Sequence, residues 1–176
     1  MKKVLKWFGL ALLVVFLLAQ IAQPKRTNPP VEQSRTLNAH AQLPPDVQAI
    51  LERSCYDCHS NQTKWPWYSR VTPANFLLVH DVDHGRDHLN FSEWSTYTEK
   101  SRKSKLEEIC EEVEQNAMPL KKYLVMHPDA KVSDPDKEKL CAWTKAEQKR
   151  MAGPPAAGMP EAKEAKPEHD HKDHKH

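Results

Sequence analysis

Five consecutive residues, Cys55-Tyr56-Asp57-Cys58-His59, constrain this chain more than its length or composition. Two thiols separated by two residues lie within one turn of backbone, and the next residue supplies an imidazole. That spacing serves few chemistries. A structural zinc site needs a second close pair of ligands, and the remaining cysteines, Cys110 and Cys141, lie far apart in sequence. A dithiol redox centre is expected at a helix N-terminus behind a strand, where the dipole lowers the thiol pKa. Here a helical pattern precedes the pair and no strand does. A disulfide would make no use of His59. The chemistry that uses all three side chains is attachment of a haem. The thiols add to the two vinyl groups on one edge of the porphyrin, and the same turn of chain swings the imidazole beneath the iron. Covalent attachment also retains a large group in a domain too small to hold it by packing alone.

The rest of the chain divides by composition. Lys2, Lys3 and Lys6 precede an apolar stretch from Trp7 to Ala22, interrupted by Gln20. Basic residues ahead of an apolar run keep an N-terminus in the cytoplasm and send the downstream chain across the membrane. A cleavage after Ala22 would put Gln20 at the third position before the cut, where a small residue is wanted. Residues 1–22 are therefore expected to remain as a membrane anchor, although the stretch is short for a spanning helix; a cleaved, secreted form is the alternative. Residues 23–44 are polar and Pro-containing and read as a flexible linker. Residues 45–150 are the expected globular domain. Residues 151–176, rich in Ala, Pro, Lys and Glu and ending HDHKDHKH, read as a disordered tail. Its His169, His171, His174 and His176 suit weak binding of a divalent metal, and taken alone they point to a periplasmic metal-handling role. Lys+Arg and Asp+Glu balance between residues 24 and 150, and no basic stripe interleaves with aromatics, which argues against a nucleic-acid partner.

Within 45–150 every periodic segment is helical. Pro45 and Asp46 suit a first turn, with Val47, Ile50, Leu51 and Ser54 on one face delivering Cys55 at the helix end. Thr72-Pro73 starts a second helix, expected to stop at Gly85 and to leave His88 outside. Asn90–Tyr97 suggests a short helix capped by Ser92. Ser104 and Glu107 have the spacing of a capping box for a helix that buries Leu106, Ile109, Cys110 and Val113. A last helix starts after Ser133 and turns Leu140, Trp143 and Thr144 inward. The expected fold is all-α: a small cytochrome c-like helical domain around one haem, with an N-terminal membrane helix and a disordered C-terminal tail. Cys110 and Cys141 sit on or beside apolar helix faces; in an oxidising compartment they are expected to pair.

The run CYDCHSNQTKWPWYSRVTPANFLLVHDVDHGRDHLNFSEW resembles the haem-binding domain family of small exported c-type cytochromes. That family shows C-x-x-C-H-S-N, then W-P-W-Y, then G-R-x-x-L-N-F-S-x-W, then Met-Pro with Tyr and His after it. The matching residues here run from Cys55 through Trp65-Pro66-Trp67-Tyr68 and Gly85-Arg86 to Trp94, then Met118-Pro119, Tyr123 and His127. The resemblance supports Met118 as distal iron ligand opposite His59. Met118 also lies just past a helix end, where Pro119 favours an extended backbone able to present the thioether. His80, His84, Met126 and His127 are the alternatives. Trp65, Trp67, Tyr68, Phe76 and Trp94 are expected to wall the haem pocket, and Arg70 and Arg86 to meet its propionates.

These residues describe a membrane-anchored monohaem c-type cytochrome, with one covalent haem c, that carries single electrons in the bacterial periplasm. It would be an electron carrier rather than an enzyme. Its redox partner would be a quinol-oxidising complex, a terminal oxidase or an exported reductase of a membrane respiratory chain. The alternative is a haem peroxidase or a gas or redox sensor with an open sixth coordination site.

Overall fold

The segment ahead of the domain behaves differently from its composition. The structure is a computed structural model, and it describes residues 1–153. An exposed helix, α1, spans Lys2–Ala19 and buries none of its residues. Lys2, Lys3 and Lys6 occupy its first turns, leaving Trp7–Ala19. At about 1.5 Å per residue that is about 20 Å of apolar helix, against a hydrocarbon core of about 30 Å. No helix among the described residues is long and apolar enough to cross a membrane. The expected spanning helix is thus not found, for want of length.

Residues 23–44, read as a flexible linker, are packed instead. They contain a 3-10 turn, Gln33–Arg35, and a one-turn helix, α2, at Leu37–His40. Leu37 is fully buried in the core. Trp143 Nε1 donates to the Gln42 carbonyl at 2.9 Å, Arg150 to the His40 carbonyl at 2.8 Å, and Arg35 pairs with Glu93 at 2.8 Å. Polar composition signals a loop when its backbone groups face water. Here they are met by side chains remote in sequence.

The core lies where α3 (Pro45–Ser54), α6 (Glu99–Glu114) and α8 (Asp134–Met151) meet. α3 begins on Pro45 with Asp46 in its first turn, and it buries Val47, Ile50, Leu51 and Ser54 as the periodicity requires. α8 carries a complete capping box, Ser133 with Asp136. α6 contributes Leu106, Ile109 and Val113, α8 contributes Leu140 and Trp143, and each large side chain buried here stabilises the fold by about 1.5–3 kcal/mol. Cys110 and Cys141 are joined by a disulfide that staples α6 to α8, with Cα atoms 4.8 Å apart.

Three local readings are corrected. α6 starts well ahead of the position that the Ser104–Glu107 spacing suggests, at Glu99, because Thr98 caps it by accepting from Ser101 N–H at 3.2 Å. The Ser104 hydroxyl instead donates along the helix to Glu108. The short 3-10 helix Phe91–Thr96 is capped by Asn90 rather than by Ser92. And α5 runs Ala74–His88, straight through Gly85, so His88 is its last residue. A glycine after an apolar run looks like a helix stop, but this one is required for the close approach of α5 to Cys58. The left-handed position that ends α6 is taken by Asn116, at φ 55°. The tail readings, from residue 154 on, lie outside the described residues.

Candidate functional site

α3 ends at Ser54, and Cys55 leaves it with φ −126°, ψ −37°. A single turn, α4 (Tyr56–His59), comes at once. The Cys55 carbonyl accepts from Cys58 N–H at 3.2 Å and His59 N–H at 2.9 Å, so both thiols and the imidazole hang from one closed turn. The turn is fixed from below. Tyr56 stacks on the buried Phe91, and His59 meets the same ring edge-on. The next residues are pinned by buried polar groups. Asn61 N–H donates to Ser92 Oγ at 3.0 Å, and Asn90 Nδ2 donates to Asn61 Oδ1 at 2.9 Å. Thr63 Oγ1 donates to the Asp57 carbonyl at 2.7 Å. Ser-Asn after the histidine and Asn-Phe-Ser downstream therefore have a physical role: the two segments satisfy one another inside the protein.

His59 Nδ1 lies 3.0 Å from the Leu89 carbonyl. A carbonyl only accepts, so Nδ1 carries the proton and Nε2 keeps its lone pair. Burial also holds the imidazole pKa below its ordinary value, favouring the neutral form a metal needs. Burial pushes the thiols the other way, Cys55 up to about 12 with Cys58 adding to the effect, and Cys58 up to about 11 with Asp57 and Asp81 adding. Dithiol redox centres depend on a depressed thiol pKa, so this pair has the wrong electrostatics for that chemistry.

Gly85 lets α5 lie against the turn. A Cβ there would fall 2.7 Å from the Cys58 carbonyl oxygen. Beside it, Arg86 is committed to the chain itself. Its Nε donates to the Ser60 carbonyl (2.8 Å), one terminal nitrogen to the Thr27 carbonyl (2.8 Å), and the other to Asn28 Oδ1 (3.0 Å) and Thr63 Oγ1 (2.8 Å). Four of its five donors are thereby used, which corrects the expectation that Arg86 meets a propionate; it clamps residues 27–28 to the turn. Arg70 is exposed, and its carbonyl accepts from Gln23.

The aromatic wall is also redistributed. Trp94 is 1% exposed, edge-on to Tyr97 inside the core cluster, and so belongs to the core. Trp65 donates to Asn28 at 3.2 Å. Trp67 and Tyr68 lie on the 3-10 turn Trp67–Arg70, which packs on α5. Trp67 is 71% exposed. A short helix, α7 (Lys121–Leu124), is tied to the same region: Tyr123 donates to Asp57 at 2.8 Å, and Lys122 pairs with Asp81 at 2.7 Å. His127 stacks on Tyr123 and shares a 2.7 Å hydrogen bond with Tyr68 through Nε2, which occupies one ring nitrogen of that alternative ligand. His80 and His84 are exposed on α5, and Met126 is half exposed. Met118 is half-buried in the segment joining α6 to α7.

Beyond α1 and its flank, the large exposed apolar side chains among the described residues are Trp67, Phe76, Leu77, Val125 and Met126. Trp67 lies on the turn that packs against α5, Phe76 and Leu77 lie on α5, and Val125 and Met126 follow α7; α5 contacts the Cys55–His59 turn directly, and Tyr123 of α7 bonds to Asp57 within it. A small domain that gathers its exposed apolar residues around one motif has a large apolar group to cover there. Together with the two thiols and the free Nε2, this fits an iron porphyrin. Sequence reasoning missed Asp57, the Leu89 carbonyl and the role of Gly85. Nothing local flags the first two, whereas a glycine in mid-helix was a signal open to a packing explanation.

Neither the curated proteins nor the solved structures offer a match to this chain. The model of the haem-binding domain family matches residues 14–146, which takes in the packed segment 23–44 as well as the helical body, and the chain belongs to that family.

Proposed function

We propose that this haem protein is a c-type, monohaem electron carrier working outside the cytoplasm. The observation that carries the reading is the Nδ1–H of His59 held on the Leu89 carbonyl while two neutral thiols share its turn. Cys55 and Cys58 would hold the porphyrin as thioethers, His59 would bind the iron through Nε2, and Met118 would be the distal ligand. A bound haem supplies one-electron exchange between the ferric and ferrous states. The chain's contribution is positional. The Leu89 carbonyl fixes the imidazole plane and raises its basicity. Tyr123 on Asp57 fastens the segment after Met118 to the turn and Lys122 on Asp81 fastens it to α5, so the residues that would hold the iron are braced against one body. Trp67, Phe76, Leu77 and Val125 would exclude water from the ring.

The basic-then-apolar start supports export, and the Cys110–Cys141 bridge suits an oxidising compartment. Retention at the membrane by α1, and a redox partner in a respiratory chain or an exported reductase, belong to the same proposal. The test is protein matured in a host competent for cytochrome c biogenesis. The haem should resist extraction into acidified organic solvent and give a low-spin ferric spectrum that Met118→Ala converts to high spin. Extractable haem overturns covalent attachment. A high-spin parent that binds carbon monoxide readily supports the sensor or peroxidase reading instead.

A further inference from the structure

His84 and His88 stand one turn apart at the C-terminal end of α5, both exposed, with Nε2 atoms 3.3 Å apart and ring centroids at 4.4 Å. Two nitrogens at that separation, each about 2.05 Å from a first-row metal ion, would subtend about 107° at it, close to the tetrahedral angle. As a hydrogen bond between two rings the same separation is long, and at an exposed position water competes for both nitrogens. We infer that His84 and His88 chelate a divalent cation of the zinc class, with water completing its coordination, since imidazole pairs suit zinc, nickel and copper.

The pair is preorganised. Gly85 lies against Cys58, and Arg86 is locked by its four hydrogen bonds. Lys105 Nζ donates to the His88 carbonyl, fixing the last turn of the helix. The backbone between the two rings is therefore set before any ion arrives, and binding costs little ordering. Asp83 and Asp87 flank the pair on the same helix and are both exposed. His80, one turn earlier, has its ring 5.9 Å from that of His84 and is not part of the pair. The site is separate from His59, whose Nδ1 is held by the residue after His88.

Zinc is redox-inert, so the test uses the full-length, haem-loaded protein with micromolar ZnCl2. Histidine carbethoxylation by diethyl pyrocarbonate, read peptide by peptide, reports each ring and keeps α5 distinct from the tail histidines. Zinc should slow labelling of His84 and His88 several-fold while leaving His40 unchanged. His88→Ala should restore the labelling of His84, and His84→Ala that of His88, whereas His80→Ala should leave both protected. Equal labelling of His88 with and without zinc overturns the inference. So does protection that survives loss of the partner ring, or that depends on His80. Both rings are exposed, and unaltered haem absorbance in the variants would verify their folding.

Discussion

Alanine in place of Gly85 should destabilise the protein even though it is the better helix former. In an exposed helix the substitution would gain about 0.8–1.0 kcal/mol from propensity. Here the added Cβ would lie 2.7 Å from the Cys58 carbonyl oxygen and 3.2 Å from the Cys58 carbonyl carbon and Cβ. A comfortable separation is about 3.5 Å, and none of these atoms can rotate aside, being backbone or the root of a side chain. α5 must withdraw from the turn by most of an ångström, or bend. Overpacking of this kind costs about 1–3 kcal/mol, and a collision with backbone belongs in the upper part of that range. Subtracting the propensity gain leaves a loss of about 1–2 kcal/mol. For a domain of this size that lowers Tm by about 4–8 °C. Urea and thermal unfolding of Gly85→Ala, with the disulfide intact, read the sign directly. A variant more stable than the parent by about 1 kcal/mol, as propensity alone predicts, would show that the contact does not govern this position.

Arg86→Lys should cost about 2–4 kcal/mol, because one ammonium cannot reach all four acceptors, and limited proteolysis should cut first between residues 20 and 44; an unchanged digest would count against the clamp. Replacing Cys110 and Cys141 together by Ala should cost on the order of 3–4 kcal/mol in the chain-entropy picture, seen as a lower urea midpoint with the helical content intact. In the haem-free chain stability should also fall on acidification from the ordinary histidine range near pH 6.5 down to the lowered folded pKa of His59. In that window the unfolded chain binds the extra proton and the folded one does not, so the slope approaches about 1.4 kcal/mol per pH unit. A urea midpoint that is flat between pH 7 and 5.5 would contradict the buried neutral imidazole.

The chain order of the helices was legible because their signals are local. α3 and α8 declare themselves through Pro45, Asp46 and Ser133, and through apolar residues at helical spacing. The Cys55–His59 turn is legible for the same reason, since its chemistry is carried by five adjacent residues. Gly85 misled because a glycine ending an apolar run and a glycine under another backbone look alike in one dimension; Asn116 supplied the left-handed stop of α6. Arg86 and Trp94 have the composition of a binding pocket, but packing put the first into a clamp and the second into the core.

Local sequence determined the kind of chemistry, the helical class and the place of the two thiols and the imidazole. Tertiary structure alone decided which imidazole nitrogen keeps its lone pair, because Leu89 is thirty positions away. It also decided that residues 23–44 belong to the body. Capping and periodicity are satisfied within a turn of helix and so leave a trace in neighbouring residues. A hydrogen bond or steric contact between distant segments depends on how the whole chain closes, and no short stretch of sequence records it.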